Sequence, residues 1–127
     1  MEEHDRIMVV DDEEFCLESL RVLLQKAGVD MEKVDFCITG QEALTKIQSQ
    51  YKKGGSYKLV LTDFMMPVMN GIMSAANIRK WLKDEMKIPR EDQPKIIGIT
   101  AHFIEKFINE GKRSGMDEVY GKPLYYD

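Results

Sequence analysis

Short apolar runs alternate along the chain with longer segments whose apolar residues recur at helical spacing, the signature of βαβ units and a parallel sheet. Ile7 to Val10 predicts a first strand that stops abruptly at Asp11-Asp12. From about Glu14, the residues Cys16, Leu20, Leu23, Leu24 and Ala27 repeat at helical period, and Gly28 is placed to cap the end. Lys33 to Cys37 predicts a short second strand. Gly40 to Tyr51 predicts a second helix built on Ala43, Leu44 and Ile47 and closed by the turn residues Lys53-Gly54-Gly55-Ser56. Leu59-Val60-Leu61 is continuously apolar, as a strand covered on both faces must be, and it too runs into an acid, Asp63. A third helix is predicted from about Met73 to Met86, with Ile78, Trp81 and Leu82 on its core side. Pro89 and Pro94 bracket a polar loop before the fourth strand, Ile96-Ile97-Gly98-Ile99, which ends at Thr100. A fourth helix over Phe103 to Arg113 stops before Gly115, and Glu118 to Tyr120 predicts a brief fifth strand leading to Lys122-Pro123.

Strands alternating with helices through short, right-handed connections favour an α/β doubly wound parallel sheet of five strands. The flavodoxin-like strand order 2-1-3-4-5, with its switch point between strands one and three, fits this element order, although the order alone does not force it. At 127 residues, with 43% hydrophobic and 31% charged residues, the chain has material for one core and a charged surface, so residues 1–127 are read as a single domain.

Charge and cysteine usage narrow the function classes. A net charge of -4 argues against direct nucleic-acid binding, which needs a basic face to displace counterions, and the Lys52-Lys53 pair beside two glycines reads as a solvated loop. No apolar run approaches the roughly 20 residues needed to cross a bilayer. The N-terminus is acidic where a secretory leader would be basic, so a cytoplasmic domain without membrane contact is expected. Cys16 and Cys37 lie in apolar stretches without CxxC spacing and are expected to be small buried residues.

In a sheet of this kind ligands bind beyond the carboxyl ends of the strands, and four of those ends carry polar groups: Asp11 and Asp12, Asp63, Thr100, and Lys122. Taken singly, an Asp-Asp pair reads most simply as a turn or cap, a Thr as a β-branched strand residue and a Lys-Pro as a loop. Together at successive strand ends they point to chemistry. Converging carboxylates repel one another, so such a site either holds protons or binds a cation, and oxygen ligands suit Mg2+ (or Mn2+). A lysine and a hydroxyl nearby suit a phosphoryl group, with one carboxylate available as nucleophile.

The segment Leu59-Val60-Leu61-Thr62-Asp63-Phe64-Met65-Met66-Pro67-Val68-Met69-Asn70-Gly71 resembles the phosphoacceptor motif of response-regulator receiver domains, an apolar strand followed by D-x-x-M-P-x-M-x-G. Val9-Val10-Asp11-Asp12 is similar to that family's acidic pair, Ile99-Thr100-Ala101 to its Thr-Ala switch and Gly121-Lys122-Pro123 to its Lys-Pro, so the resemblance covers nearly the whole chain. It implies that Asp63 takes a phosphoryl group from a phosphohistidine of a histidine kinase or histidine phosphotransfer domain. It also implies that Asp12 and Asp63 hold Mg2+ directly with the backbone carbonyl of Met65, and that Asp11 acts mainly through water. Thr100 is then expected to hydrogen-bond a phosphoryl oxygen and Lys122 to pair with the phosphate, across a Lys-Pro bond that is cis in similar domains. A chain of this kind promotes its own phosphotransfer and dephosphorylation without being a conventional enzyme, and it fits either a stand-alone regulator or a module of a hybrid histidine kinase.

Two departures from the family pattern bear on output. The position three before Lys122, usually Tyr or Phe, is Val119, and only Leu124-Tyr125-Tyr126-Asp127 follow Pro123 where the family has a fifth helix. A truncated or missing fifth helix would leave one face partly bare and favour self-association through it. A Mg2+-dependent phosphohydrolase with an aspartyl-phosphate intermediate is the rival from the enzyme class, but it needs an acid two residues after the nucleophile, where Met65 stands. A nucleotide or FMN module lacks its glycine-rich loop, and no G-x-S-x-G accompanies His102, which is expected at the surface near the phosphoryl site. Met65, Met66, Met69 and Met73 are read as packing side chains in preference to a soft-metal site.

Overall fold

The apolar strands form a five-stranded, all-parallel sheet in the order β2-β1-β3-β4-β5. The computed structural model describes residues 4–64, 70–102 and 104–122. The strands are β1 (Arg6–Val10), β2 (Val34–Cys37), β3 (Tyr57–Asp63), β4 (Lys95–Thr100) and β5 (Glu118–Gly121). The helices are α1 (Glu14–Lys26), α2 (Gly40–Lys52), α3 (Gly71–Asp84) and α4 (Glu105–Ser114), with short 3-10 turns at Met31–Lys33 and Arg90–Asp92. The expected fold class is thus observed, with four α-helices among the described residues. The fifth-helix expectation falls on residues 123–127, which lie outside them.

Alternation along each strand sends successive side chains to opposite faces. Met8, Val10, Val60 and Ile96 join a core built with Ala43 and Ile47 of α2, Ala75, Ile78 and Leu82 of α3, and Met116 beyond α4. Ile7, Val9, Leu61 and Ile99 point the other way and pack under Leu20 and Leu24 of α1. A strand with both faces covered must be apolar throughout, which is why Leu59-Val60-Leu61 and Ile96-Ile97-Gly98-Ile99 carry no alternating polar positions.

Local chemistry sets the helix ends. Thr39 caps α2 by accepting from the Glu42 amide, and Glu42 reaches back to accept from the amide of Ile38, the residue before the cap. Asn70 caps α3 by accepting from the Met73 amide, so α3 begins at Gly71, two residues before the position expected from periodicity. Gly28 after α1 and Gly115 after α4 take left-handed backbone conformations, φ 85° and 118°, as helix-ending glycines do. Helix α4 starts two residues later than expected.

Two ionic networks tie the sheet near the N-terminal ends of its strands. Arg6 pairs with Asp35, which also accepts from the Tyr57 hydroxyl, joining β1, β2 and β3. Arg79 of α3 donates to the Gly115 and Pro94 carbonyls and to Asp117, while Asp117 accepts from the Ile96 amide, so α3 and the turns before β4 and β5 are locked together. Burial opposes the Asp117 charge, but the Ile96 amide and the Arg79 and Arg90 guanidiniums outweigh it and hold its carboxyl below the usual range. Burial likewise lowers the Arg79 guanidinium to about 10.

Asp117→Ala is expected to cost about 2–4 kcal/mol, because it removes the carboxylate that balances the mostly buried Arg79 charge and takes the side-chain acceptor from the Ile96 amide. The depressed Asp117 pKa means that this stability is present at neutral pH and lost as pH falls through the folded value. Denaturant titrations of both proteins at pH 7 and at acid pH check it: a difference that does not shrink in acid contradicts the assignment.

Candidate functional site

The parallel strands deliver their terminal polar residues to one rim. Asp11 follows β1 and stays in register because its amide donates to the Cys37 carbonyl; it is 1% exposed. Asp63 closes β3 at 6% exposure, Thr100 closes β4 fully buried, and Asp12 is exposed. One carboxylate oxygen from each of Asp11, Asp12 and Asp63 can be found within 4.8 Å of the others. Lys122, just past β5, reaches into this group: its ammonium lies 3.0 Å from Asp63 Oδ1 and 3.1 Å from Asp11 Oδ2. Its own amide donates to the Thr100 carbonyl, which holds the end of β5 against β4.

Gly71 lets this rim close. A Cβ there would collide with the Asp63 carbonyl oxygen, and the Gly71 amide donates to the Phe64 carbonyl, so α3 starts directly on the backbone of Asp63. The Phe64 amide in turn donates to the Ile99 carbonyl, tying the end of β3 to β4.

The electrostatics are strained. Burial pushes the Asp63 carboxyl above its usual range; the Lys122 hydrogen bond opposes this, and the Asp11 and Asp12 charges add to it. Burial works against the Lys122 charge as well, yet its hydrogen bonds to Asp63 and Asp11 prevail and raise its pKa. Lys122 can offset only one of the three carboxylate charges. Hard oxygen donors carrying excess negative charge are what a Mg2+-like cation requires.

Asp11 has little coordinating capacity to spare. Its Oδ1 accepts from the Glu13 amide and its Oδ2 from Lys122. The Thr100 hydroxyl accepts from the His102 amide at 3.0 Å, which leaves the hydroxyl proton available to donate.

The family model of the response regulator receiver domain matches residues 7–127. The chain belongs to that family. The aerobic respiration control sensor protein ArcB of Escherichia coli (strain K12) is 34% identical over 118 residues, which are 93% of this chain and 13% of that protein, so the match spans a small part of the relative's length. The receiver domain of the histidine kinase CKI1 from Arabidopsis thaliana, complexed with Mg2+ and BeF3-, has a TM-score of 0.75 at 25% identity, over 91% of this chain and 78% of that one. The CheX-CheY-BeF3-Mg2+ complex from Borrelia burgdorferi gives 0.76 at 25% identity, over 95% and 80%.

In this receiver domain Asp11, Asp12, Asp63 and Lys122 converge as expected, and Thr100 ends the adjoining strand; Met65, with its carbonyl, lies outside the described residues. Val119 is buried, Tyr120 beside it is exposed, and His102 is exposed as anticipated. Cys37 is buried, but Cys16 is only half-buried, against expectation, because α1 begins so soon after Asp12 that its first turn lines the rim. There the Cys16 sulfur lies 3.6 Å from both Lys122 Nζ and Glu13 Oε1. Sequence reasoning missed this neighbour; the signal was that only three residues separate Asp12 from Cys16.

The raised Asp63 pKa yields a signed prediction. Stability contributed by the neutral carboxyl is present below the unfolded value, about pH 4, and is lost as pH rises through the higher folded value. Asp63→Asn, which keeps the shape without the charge and leaves Lys122 its Asp11 partner, is therefore expected to be more stable than wild type at pH 7 in metal-free buffer by about 0.5–2 kcal/mol. The gap should narrow in acid and on adding Mg2+. Equilibrium unfolding across pH reads it, and a variant less stable than wild type at pH 7 would contradict the electrostatic account.

Proposed function

We propose that Asp63 accepts a phosphoryl group from a phosphohistidine, with Mg2+ or Mn2+ held on the acidic rim, and that the domain signals through the resulting change of state. The observation that carries this reading is the convergence of Asp11, Asp12 and Asp63 around a single lysine in a chain of this family. Neighbouring receiver structures hold Mg2+ with BeF3-, which supports a divalent cation here.

Asp12, exposed and without a competing lysine contact among the described ion pairs, and Asp63 would hold the cation directly. Asp11, with both oxygens already engaged, would act through water, and the Met65 carbonyl would complete the protein ligands. When bound, the cation neutralises charge on the transferring phosphoryl oxygens. An Asp63 oxygen attacks phosphorus in line; the new O–P bond forms as the N–P bond of the donor breaks, and the electron pair returns to the imidazole, which already carries a proton on its other ring nitrogen and so leaves as neutral histidine. Lys122 then exchanges its Asp63 partner for a phosphoryl oxygen, and the Thr100 hydroxyl donates to another.

The donor is read as a protein, a histidine kinase or histidine phosphotransfer domain, in keeping with the sensor kinases among the relatives. Phe15 on the first turn of α1 and Ile38 just past β2 stand beside the rim at 82% and 56% exposure, giving an incoming protein apolar surface to dock on. A phosphohydrolase is disfavoured because the position two after Asp63 is Met65, which cannot act as an acid or base.

Intact-mass measurement after incubation with Mg2+ and a phosphorylated histidine domain tests the reading. Wild type is expected to gain one phosphoryl group and Asp63→Asn none; stoichiometric labelling of that variant would end the assignment. Asp12→Ala should weaken Mg2+ affinity by about tenfold or more, as loss of a direct carboxylate ligand does. An unchanged titration of that variant would move the cation elsewhere.

A further inference from the structure

We infer that Phe107 senses the state of Asp63 and sets the position of α4, an inference that rests on phosphoryl acceptance at Asp63. Helix α4 has few other anchors. Phe107 and Ile108 are its only large apolar side chains, both are only partly buried, and Gly111 alone among its residues is buried. Its N-cap residue, Ile104, makes no side-chain capping bond and is half exposed.

Phe107 touches both loops that flank the phosphoryl position. On one side its ring centroid lies 5.6 Å from that of Phe64, the residue after Asp63, within the range of an attractive aromatic pair. On the other it meets the edge of His102 at 6.4 Å, and the His102 amide is held by the Thr100 hydroxyl. A phosphoryl group on Asp63 that draws in the Thr100 hydroxyl therefore alters both contacts at once.

The packing behind Phe64 leaves no room to absorb the movement. Gly98 on β4 and Gly111 on α4 have no side chains because Met116 and the Phe64 ring fill that space: a Cβ at either position would run into both. Phe64 is 1% exposed, and its backbone is bonded to β4 and to the start of α3. In a close-packed interior, displacement at such a residue passes to its neighbour. The neighbour with freedom to move is Phe107, and with it α4.

Hydrogen exchange of the α4 amides, read with and without Mg2+ and acetyl phosphate alongside intact mass on the same samples, tests this. Acetyl phosphate passes its phosphoryl group to Asp63 and leaves as acetate. Loading wild type is expected to change α4 exchange about fivefold or more, the low end of ordinary coupling between two sites. Phe107→Ala should load fully yet respond by less than about twofold, and Phe107→Tyr, which keeps the ring, should restore the response. Phe64→Leu should lose the response as well, which keeps the test decisive if Phe107→Ala fails to fold. A response of wild-type size in loaded Phe107→Ala or Phe64→Leu, or none in loaded wild type, overturns the coupling. Failure of wild type to gain the phosphoryl mass overturns acceptance at Asp63 instead.

Discussion

Three carboxylates crowd one ammonium at the carboxyl ends of the strands, and the fold has to hold them there against their own repulsion. Left to itself that cluster would spread into water. It stays because β1 and β3 pair through Val10 and Thr62, Asp63 itself pairs with Ile99 of β4, and the Asp11 amide is bonded to Cys37, so neither acid can move without breaking the sheet. Gly71 seats α3 on the Asp63 backbone, and the Lys122 amide is bonded to β4. Excess negative charge on oxygen donors is the condition under which a hard cation is attracted. Burial first, and then the Asp11 and Asp12 charges, raise the Asp63 carboxyl above its usual range.

The other end of the strands carries the opposite charge arrangement. There the carboxylates are matched: Asp35 is held by Arg6 and Tyr57, and Asp117 by Arg79, Arg90 and the Ile96 amide. Both acids are depressed below their usual range, in contrast to Asp63, although burial opposes their charge as it does that of Asp63. A sheet satisfied at one end and frustrated at the other is the distribution expected when local rules are broken only where chemistry is done. Helix α4 belongs to the lightly anchored part of this arrangement, since its apolar face amounts to two partly buried side chains, of which Phe107 rests on the residue next to Asp63.

Much of this was legible in the sequence because it is written locally. Apolar runs that stop at Asp11, Asp63 and Thr100 mark buried strands whose ends face solvent or ligand, and Gly28 and Gly115 mark helix ends through backbone conformations that other residues resist. The motifs around Asp63 and Lys122 were equally readable, so the family and the strand count followed without coordinates. The starts of α3 and α4 were less legible than those of α1 and α2: α3 begins at a cap set by Asn70, which periodicity does not register.

Only the tertiary structure decided what those residues do to one another. Lys122 and Asp11 are 111 positions apart, and no local pattern says that the ammonium bridges Asp11 and Asp63 while reaching Cys16. Nor does the sequence show that Phe64, Phe107 and His102 form a line of rings, or that Gly98 and Gly111 are small to make room for Met116 and Phe64. The physical reason is the same in each case. Secondary structure and the ends of strands depend on neighbours in the chain, whereas charge balance and packing depend on distances that exist only once the strands have been ordered 2-1-3-4-5.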